Sequence, residues 1–340
     1  MAKEYSIRSR ICFANKLTMR ILVTGCAGFI GYHLCEALLN NKKMKVFGID
    51  NLNDYYDINL KKNRLSSLKL NKNFIFNRVD IANEKKLKDN FCKNKYNIVV
   101  NLAAQAGVRY SIEKPEIYQK SNVNGFFNIL ENCKNFKIKH LIHASTSSVY
   151  GDNKNFPLEE DFNTDKPLSF YAATKKSNEV MAYAYSNIYK LPVTILRFFT
   201  VYGPKGRPDM SLYKFTNAII NNKPVKLFNN GNHIRDFTYI SDVINAIEKV
   251  IFSKVENKIP YQIYNVSSNN PKSLKRFLNE IEKNCNKISK KVYLKLQKGD
   301  VHKTHGSNIL ISKKLGFKPS VNIEKGIFNF VKWFNNNKLK

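Results

Sequence analysis

Acidic residues are scarce in this chain: 26 Asp and Glu stand against 57 Lys and Arg over 340 residues, a formal net charge of +31. A balance of that kind invites a nucleic-acid assignment, but the lysines do not form a basic arm or an aromatic-studded stripe. They are spread along the chain, as in NLKKNRLSSLKLNKN and FCKNKYN. Lys, Asn, Ile, Phe and Tyr are abundant together and share A/T-rich codons, so base composition accounts for the excess and no nucleic-acid partner is expected. A positive surface would still speed encounters with a small polyanion.

Other absences narrow the field further. No run approaches the roughly 20 apolar residues of a membrane span, so no membrane partner is expected. The six cysteines, Cys12, Cys26, Cys35, Cys92, Cys133 and Cys285, have no paired spacing. They suit free thiols in a reducing cytoplasm. The HxxH of His302 and His305 lacks a third ligand, so no metal is expected. Residues 1–18 are basic with one acidic residue, Glu4, and lack the apolar core of a secretory signal. A disordered arm is expected there, with an initiator at Met19 or a weak targeting presequence as alternatives.

What the chain does contain begins at Met19. In RILVTGCAGFIGYHLCEALL an apolar strand runs through Gly25, Gly28 and Gly31 into an amphipathic helix. Gly25 allows a tight turn, Gly28 lets a diphosphate approach the backbone, and Gly31 lets helix and strand pack closely. A second strand, KVFGID, ends in Asp50 about 20 residues beyond the glycines, where a carboxylate accepts from ribose hydroxyls and repels a 2′-phosphate. The motif predicts NAD as cofactor rather than NADP.

Strands near 20–24, 44–50, 73–79, 97–103, 139–145 and 192–198 alternate with helical patterns, which predicts an α/β fold: a Rossmann-type, doubly wound parallel sheet. NIVVNLAA and HLIHAS are apolar almost throughout, as strands covered on both faces must be. Past residue 200 the pattern loosens, with helices expected near 211–221, 240–253 and 272–285 and a last one ending around Trp333. Residues 19–200 are therefore expected to form the NAD-binding domain. Residues 201–340 should be mainly a smaller C-terminal substrate-binding lobe, with some segments returning to the sheet.

Tyr171 and Lys175 lie four apart in FYAATKKSNEV, a stretch of helical character that puts both on one face. A phenol of pKa about 10 is a poor base at neutral pH, and a nearby ammonium favours its phenolate. With 18 tyrosines the spacing recurs by chance, at Tyr110/Lys114 and Tyr150/Lys154. Pro115 disfavours helix at Lys114, and Gly151, Asp152 and Asn153 make a turn of the other.

Together TGCAGFIG, NLAAQAGVRYSIEKP, STSSVYG, YAATK and RFFTVYGP resemble the nucleotide-sugar epimerases of the extended short-chain dehydrogenase/reductase family. More narrowly, GIDNLNDYYDINLKKNRL, LAAQAGVRYSIEKPEIYQKSNVNGFFNILE and LRFFTVYGPKGRPDM look like UDP-glucuronate 4-epimerases. That resemblance implies an NAD-dependent isomerase serving polysaccharide biosynthesis in the cytoplasm. It converts UDP-glucuronate to UDP-galacturonate through a 4-keto sugar with transient reduction of bound NAD. Epimerisation of UDP-N-acetylglucosaminuronate or UDP-glucose is the alternative, and a non-catalytic NAD-binding sensor lies further off. The family's common homodimer is made by the helix after residue 115 and the helix bearing Tyr171.

Carried over residue by residue, the resemblance makes Thr146, Tyr171 and Lys175 catalytic. Tyr171 removes the C4 hydroxyl proton, Thr146 assists that transfer, and Lys175 binds the nicotinamide ribose. The cofactor is assigned Gly25, Gly28, Phe29, Ile30, Gly31, Asp50 and Asn51, then Asp80 and Ile81 for adenine, and Ala103, Ala104 and Gln105 for its centre, with Tyr171 and Lys175 closing the set. Ser147 and Ser148 stand where related dehydratases carry Asp-Glu, which weighs against elimination. With Thr200 and Arg207 they could bind a C6 carboxylate, and each serine could equally be a loop cap. Arg235 matches the arginine on the UDP diphosphate and Asp300 a residue near the uridine ribose. Gln297 and Ser307 depart from the family pattern, which often has Arg and Asp there.

Overall fold

The computed structural model describes residues 18–337. The arm expected over residues 1–18 lies, apart from Thr18, outside the described residues. Seven parallel strands form the central sheet: β1 (Met19–Thr24), β2 (Met44–Asp50), β3 (Phe74–Arg78), β4 (Ile98–Asn101), β5 (His140–Thr146), β6 (Val193–Phe198) and the strand Tyr261–Val266. Their spatial order is Tyr261–Val266, β6, β5, β4, β1, β2, β3. The chain therefore winds outward in one direction from β1 and in the other from β4. This is the Rossmann-type arrangement expected from the alternation of the sequence.

Successive residues of one strand serve opposite layers. Ile21 and Val23 of β1 join a core with Leu34 and Leu38 of helix α1 (Phe29–Leu39) and with Ile247 and Val250 of the helix Ile240–Ile251. Leu22, between them, joins the other core, with Leu87 and Phe91 of the helix Glu84–Lys93, Ile129 of Gly125–Asn135 and Ala182 of Phe170–Tyr189. All three β1 side chains are fully buried. The two-sided covering is why these strands carry no polar alternation.

The seventh strand and the helix Ile240–Ile251 both come from beyond residue 200. The helix Ile309–Leu315 lies against that strand, and the remaining later elements stand apart from the sheet: the helices Ser211–Ile220, Leu274–Cys285 and Ile323–Asn336 and three two-stranded ribbons, among them Val225–Phe228 with Lys291–Leu294. β4 is shorter than its apolar run. It stops at Asn101, and the amide of Ala103 turns to the Thr24 hydroxyl at 3.0 Å, so Leu102–Val108 peels away from the sheet as a loop. That departure opens a crevice between the carboxyl ends of β1 and β4, where the winding direction reverses and ligands of such sheets bind.

Candidate active site

A cavity of about 1010 Å³ occupies this crevice and continues between the sheet and the later helices. Its floor is the glycine turn. Gly25 has φ +69°, a conformation side chains resist, and a Cβ there would lie 2.9 Å from the Ala103 nitrogen. A Cβ at Gly31 would lie 2.2 Å from the Gly25 carbonyl oxygen, so only glycine lets α1 start so close to β1. No side chain caps the first turn of α1, which leaves the amides beyond Gly28 facing the cavity with Phe29 and Ile30. An uncapped helix start of this kind suits a diphosphate.

Asp50 is almost fully buried at the end of β2. Its two oxygens accept from the Ala27 amide at 3.1 Å and the Leu52 amide at 2.8 Å, so it ties the glycine turn to β2 and keeps one lone pair on each oxygen for a ribose. Burial raises its pKa, with the charges of Lys61 and Arg64 opposing. Asn51 donates to Asp80 at 3.2 Å, joining the ends of β2 and β3. Ile81, Ala103, Ala104 and Gln105 complete this wall. The Gln105 side-chain nitrogen is buried with no hydrogen-bond partner among the described residues, so a donor is left for a bound group. Uncapped amides, the Asp50 lone pairs and the Gln105 donor fit NAD.

Tyr171 and Lys175 sit at the start of the 20-residue helix Phe170–Tyr189, whose cap is Ser169: its hydroxyl accepts from the Ala172 amide at 3.2 Å. Burial raises the Tyr171 pKa, while the charge of Arg207 and the hydroxyl of Thr146 pull it down. Lys175 donates to the Ala144 carbonyl at 2.8 Å. Burial lowers its pKa to about 7, against the pull of Glu179. The pull of Arg207 on the phenol is a contribution the sequence did not suggest.

Thr146 ends β5 and caps the short turn Ser147–Tyr150, its oxygen accepting from the Ser148 amide at 3.2 Å and donating to the Ser148 hydroxyl at 3.2 Å. The cap of this turn is the threonine rather than either serine. Ser147 and Ser148 both line the cavity, as does Thr200. Arg207 binds Asp209 through two nitrogens, at 2.9 and 2.5 Å. Burial opposes the Arg207 cation, and Asp209 more than offsets that cost.

At the far end, Arg235 donates to the Val301 carbonyl at 2.7 Å and the His302 carbonyl at 2.9 Å, with Asp300 3.9 Å away. Burial lowers its pKa, and Asp300 works the other way. All the sequence-assigned site residues line this one cavity. Gln297 and Ser307, the two departures from the family pattern, do not line it. Ser307 accepts instead from the Ile309 amide at 3.4 Å, ahead of the helix Ile309–Leu315.

Sequence reasoning missed several cavity residues. Arg109 reaches Asp300 at 3.3 Å and lies 4.6 Å over the Phe228 ring, and Tyr55, Lys61, Asp209, Lys214 and Lys226 also line the space. Tyr55, Lys61, Arg109 and Asp209 fall inside the quoted family blocks, but nothing in their spacing separates them from surface residues. The cavity holds seven Lys and Arg against five Asp and Glu, a small excess suited to phosphate-bearing ligands. Among the described residues no group of three His, Cys, Asp or Glu could hold a metal.

A family model described as GDP-mannose 4,6 dehydratase matches residues 22–330. Protein CapI of Staphylococcus aureus is 47% identical over 93% of this chain and 98% of its own length. A UDP-glucuronate 4-epimerase of Thermodesulfobacterium geofontis is 42% identical over 93% of this chain and 96% of its own. The crystal structure of UDP-glucuronic acid 4-epimerase from Bacillus cereus, in complex with UDP-glucuronic acid and NAD, superposes with a TM-score of 0.88 at 35% identity. It covers 94% of this chain and 99% of that one. With a glycine turn, a switch-point cavity and a Tyr-Lys helix in place, the chain belongs to the nucleotide-sugar branch of the extended short-chain dehydrogenase/reductase family.

Proposed function

We propose that this protein epimerises UDP-glucuronate at C4 to give UDP-galacturonate, with NAD retained in the cavity. The observation that carries the reading is the convergence of Thr146, Tyr171 and Lys175 on one cavity with the hydroxyls of Ser147 and Ser148 and the guanidinium of Arg207. NAD bound against the glycine turn contributes a reversible hydride acceptor for C4. Tyr171 takes the C4 hydroxyl proton as the sugar is oxidised and returns it once the 4-keto sugar has turned over. Thr146 hydrogen-bonds the C4 oxygen, and Lys175 binds the nicotinamide ribose. Phe29, Ile30, Asn51, Asp80, Ile81, Ala103, Ala104 and Gln105 hold the rest of the cofactor, Arg235 and Asp300 the UDP.

Ser147 and Ser148 offer no carboxyl group for removing or delivering a proton at the neighbouring sugar carbons. Elimination of water, the chemistry in the matching family model's name, therefore has no general acid at this point. Hydroxyls there, with Thr200 and Arg207, suit a C6 carboxylate. The whole reaction needs only groups present in the cavity and a cofactor regenerated each cycle.

Exposed apolar side chains gather on the helices flanking the site: Val180, Tyr183 and Ile188 on Phe170–Tyr189, with Ile112 and Phe127 on the segment before β5. A second copy of this chain covers that face in the reading we favour, giving a homodimer. Among the described residues no helix is long and apolar enough to cross a membrane, and the cytoplasm is the compartment where a sugar nucleotide and free thiols fit.

The test is to incubate the protein, without added NAD, with UDP-glucuronate, UDP-glucose or UDP-N-acetylglucosamine and to resolve the products by NMR. UDP-galacturonate alone is expected. A pentose or a free 4-keto product would refute the roles of Ser147 and Ser148. Tyr171→Phe should keep the fold and the bound NAD while losing turnover about 100- to 10,000-fold, and near-normal activity would overturn the site assignment.

A further inference from the structure

The loop between β2 and the helix Ile58–Lys69 is built with more care than a cofactor site needs. Asn53 accepts from the Tyr55 amide at 3.4 Å, and the Lys61 ammonium grips both the Asn53 carbonyl, at 2.7 Å, and its side-chain oxygen, at 2.6 Å. Tyr55 is held on the cavity wall as a result. Its ring packs 4.9 Å from that of Tyr110, and a Cβ on Gly107 would come within 2.8 Å of its hydroxyl. That hydroxyl donates to Asp209 at 3.2 Å, on the oxygen that Arg207 also uses.

Asp209 lies two residues from Arg207 and competes with any substrate carboxylate for its guanidinium. It takes Nε and Nη2, which leaves Nη1 as the nitrogen with no protein acceptor among the described residues. Two carboxylates can share one guanidinium only if the inner one stays on its own edge. Tyr55 supplies that restraint from the loop after β2. Burial and the Asp209 charge push the Tyr55 pKa up to about 12, so its proton stays in place at working pH. A second anchor comes from the same segment: Arg64 donates to the Lys205 carbonyl at 2.7 Å and to the Ala27 carbonyl of the glycine turn at 2.9 Å.

We propose that Tyr55 is a positioning residue for uronate specificity: it pins Asp209, and through Asp209 it holds Arg207 with Nη1 free for the C6 carboxylate. The inference rests on the assignment of Arg207 to that carboxylate. The geometry gives an end-on contact with one guanidinium nitrogen, in which Asp209 cancels much of the Arg207 charge. Selection of a uronate then depends on alignment more than on net charge, and alignment is what Tyr55 provides.

The experiment titrates NAD-loaded wild type, Tyr55→Phe and Arg207→Ala with UDP-glucuronate and UDP-glucose, and measures kcat and KM for UDP-glucuronate. Tyr55→Phe is expected to raise Kd and KM for UDP-glucuronate about 5- to 20-fold, the loss of one charge-assisted hydrogen bond, with kcat and UDP-glucose affinity changed by less than about twofold. Equal effects on the two sugar nucleotides, no effect on either, or loss of bound NAD would each overturn the role of Tyr55. Arg207→Ala separates the two ideas. If it fails to select against UDP-glucuronate, the carboxylate assignment falls; if it does select and Tyr55→Phe does not, only the positioning role falls.

Discussion

Lys175 and Glu179 sit one turn apart on the same helix, both almost fully buried, and they are treated in opposite ways. Glu179 accepts from Arg197 at 3.0 and 2.8 Å and from the Ser145 hydroxyl at 2.6 Å. Arg197 spends its remaining nitrogen on the Tyr150 hydroxyl at 2.9 Å and the Glu160 carbonyl at 3.0 Å. Lys175 has one backbone carbonyl, and burial drives its pKa down to about 7. A buried charge with every partner supplied belongs to the fold, whereas one left short of partners waits for a ligand.

The sharpest way to break that contrast is to remove a charge on each side. Glu179→Leu leaves Arg197 buried without a carboxylate, and its expected cost is about 3–5 kcal/mol. Thermal denaturation should show the midpoint falling by on the order of 10 °C. Lys175→Met should do the reverse in nucleotide-free protein: the midpoint rises by a few degrees while epimerase activity is lost. Two equal falls would mean that Lys175 is as structural as Glu179.

Proton linkage sharpens the Lys175 arm. The folded pKa of about 7 lies below the 10.5 of an unperturbed lysine, so the unfolded chain binds more protons between those values. Stability from this group is therefore lowest below pH 7 and recovers as pH rises towards 10.5. The gain from Lys175→Met should be greatest below pH 7 and shrink steadily above it. A gain independent of pH would assign the effect to packing instead.

Much of this was open to reading in the sequence, for physical reasons. The glycine turn, Asp50 and the Tyr171–Lys175 helix each depend on local spacing, and the parallel sheet on apolar runs covered from both sides. Long-range partners leave no such trace. That Tyr55 reaches Asp209 over 154 residues, and that Asp300 meets Arg109 as well as Arg235, are properties of how distant segments meet. The same holds for β4, whose apolar run continues past Asn101 while the strand does not, because Thr24 captures the Ala103 amide.

The smallest expected effect tests the contrast within one residue type. Tyr150 has the same spacing to a lysine as Tyr171, yet Lys154 is exposed and pairs with Asp152 at 2.7 Å. The Tyr150 hydroxyl is enclosed, donating to Asn265 at 2.7 Å and accepting from Arg197. Burial pushes its pKa up to about 12, with Arg197 opposing. Tyr150→Phe should cost about 1–2 kcal/mol of stability, read from denaturant unfolding, and leave turnover within a few-fold of wild type. A loss of turnover as deep as that of Tyr171→Phe would show that the Glu179–Arg197 network carries chemistry as well as structure. Retained turnover in a less stable protein would show that what separates two tyrosines of identical spacing is the surface each hydroxyl faces: a filled network in one case, the cavity in the other.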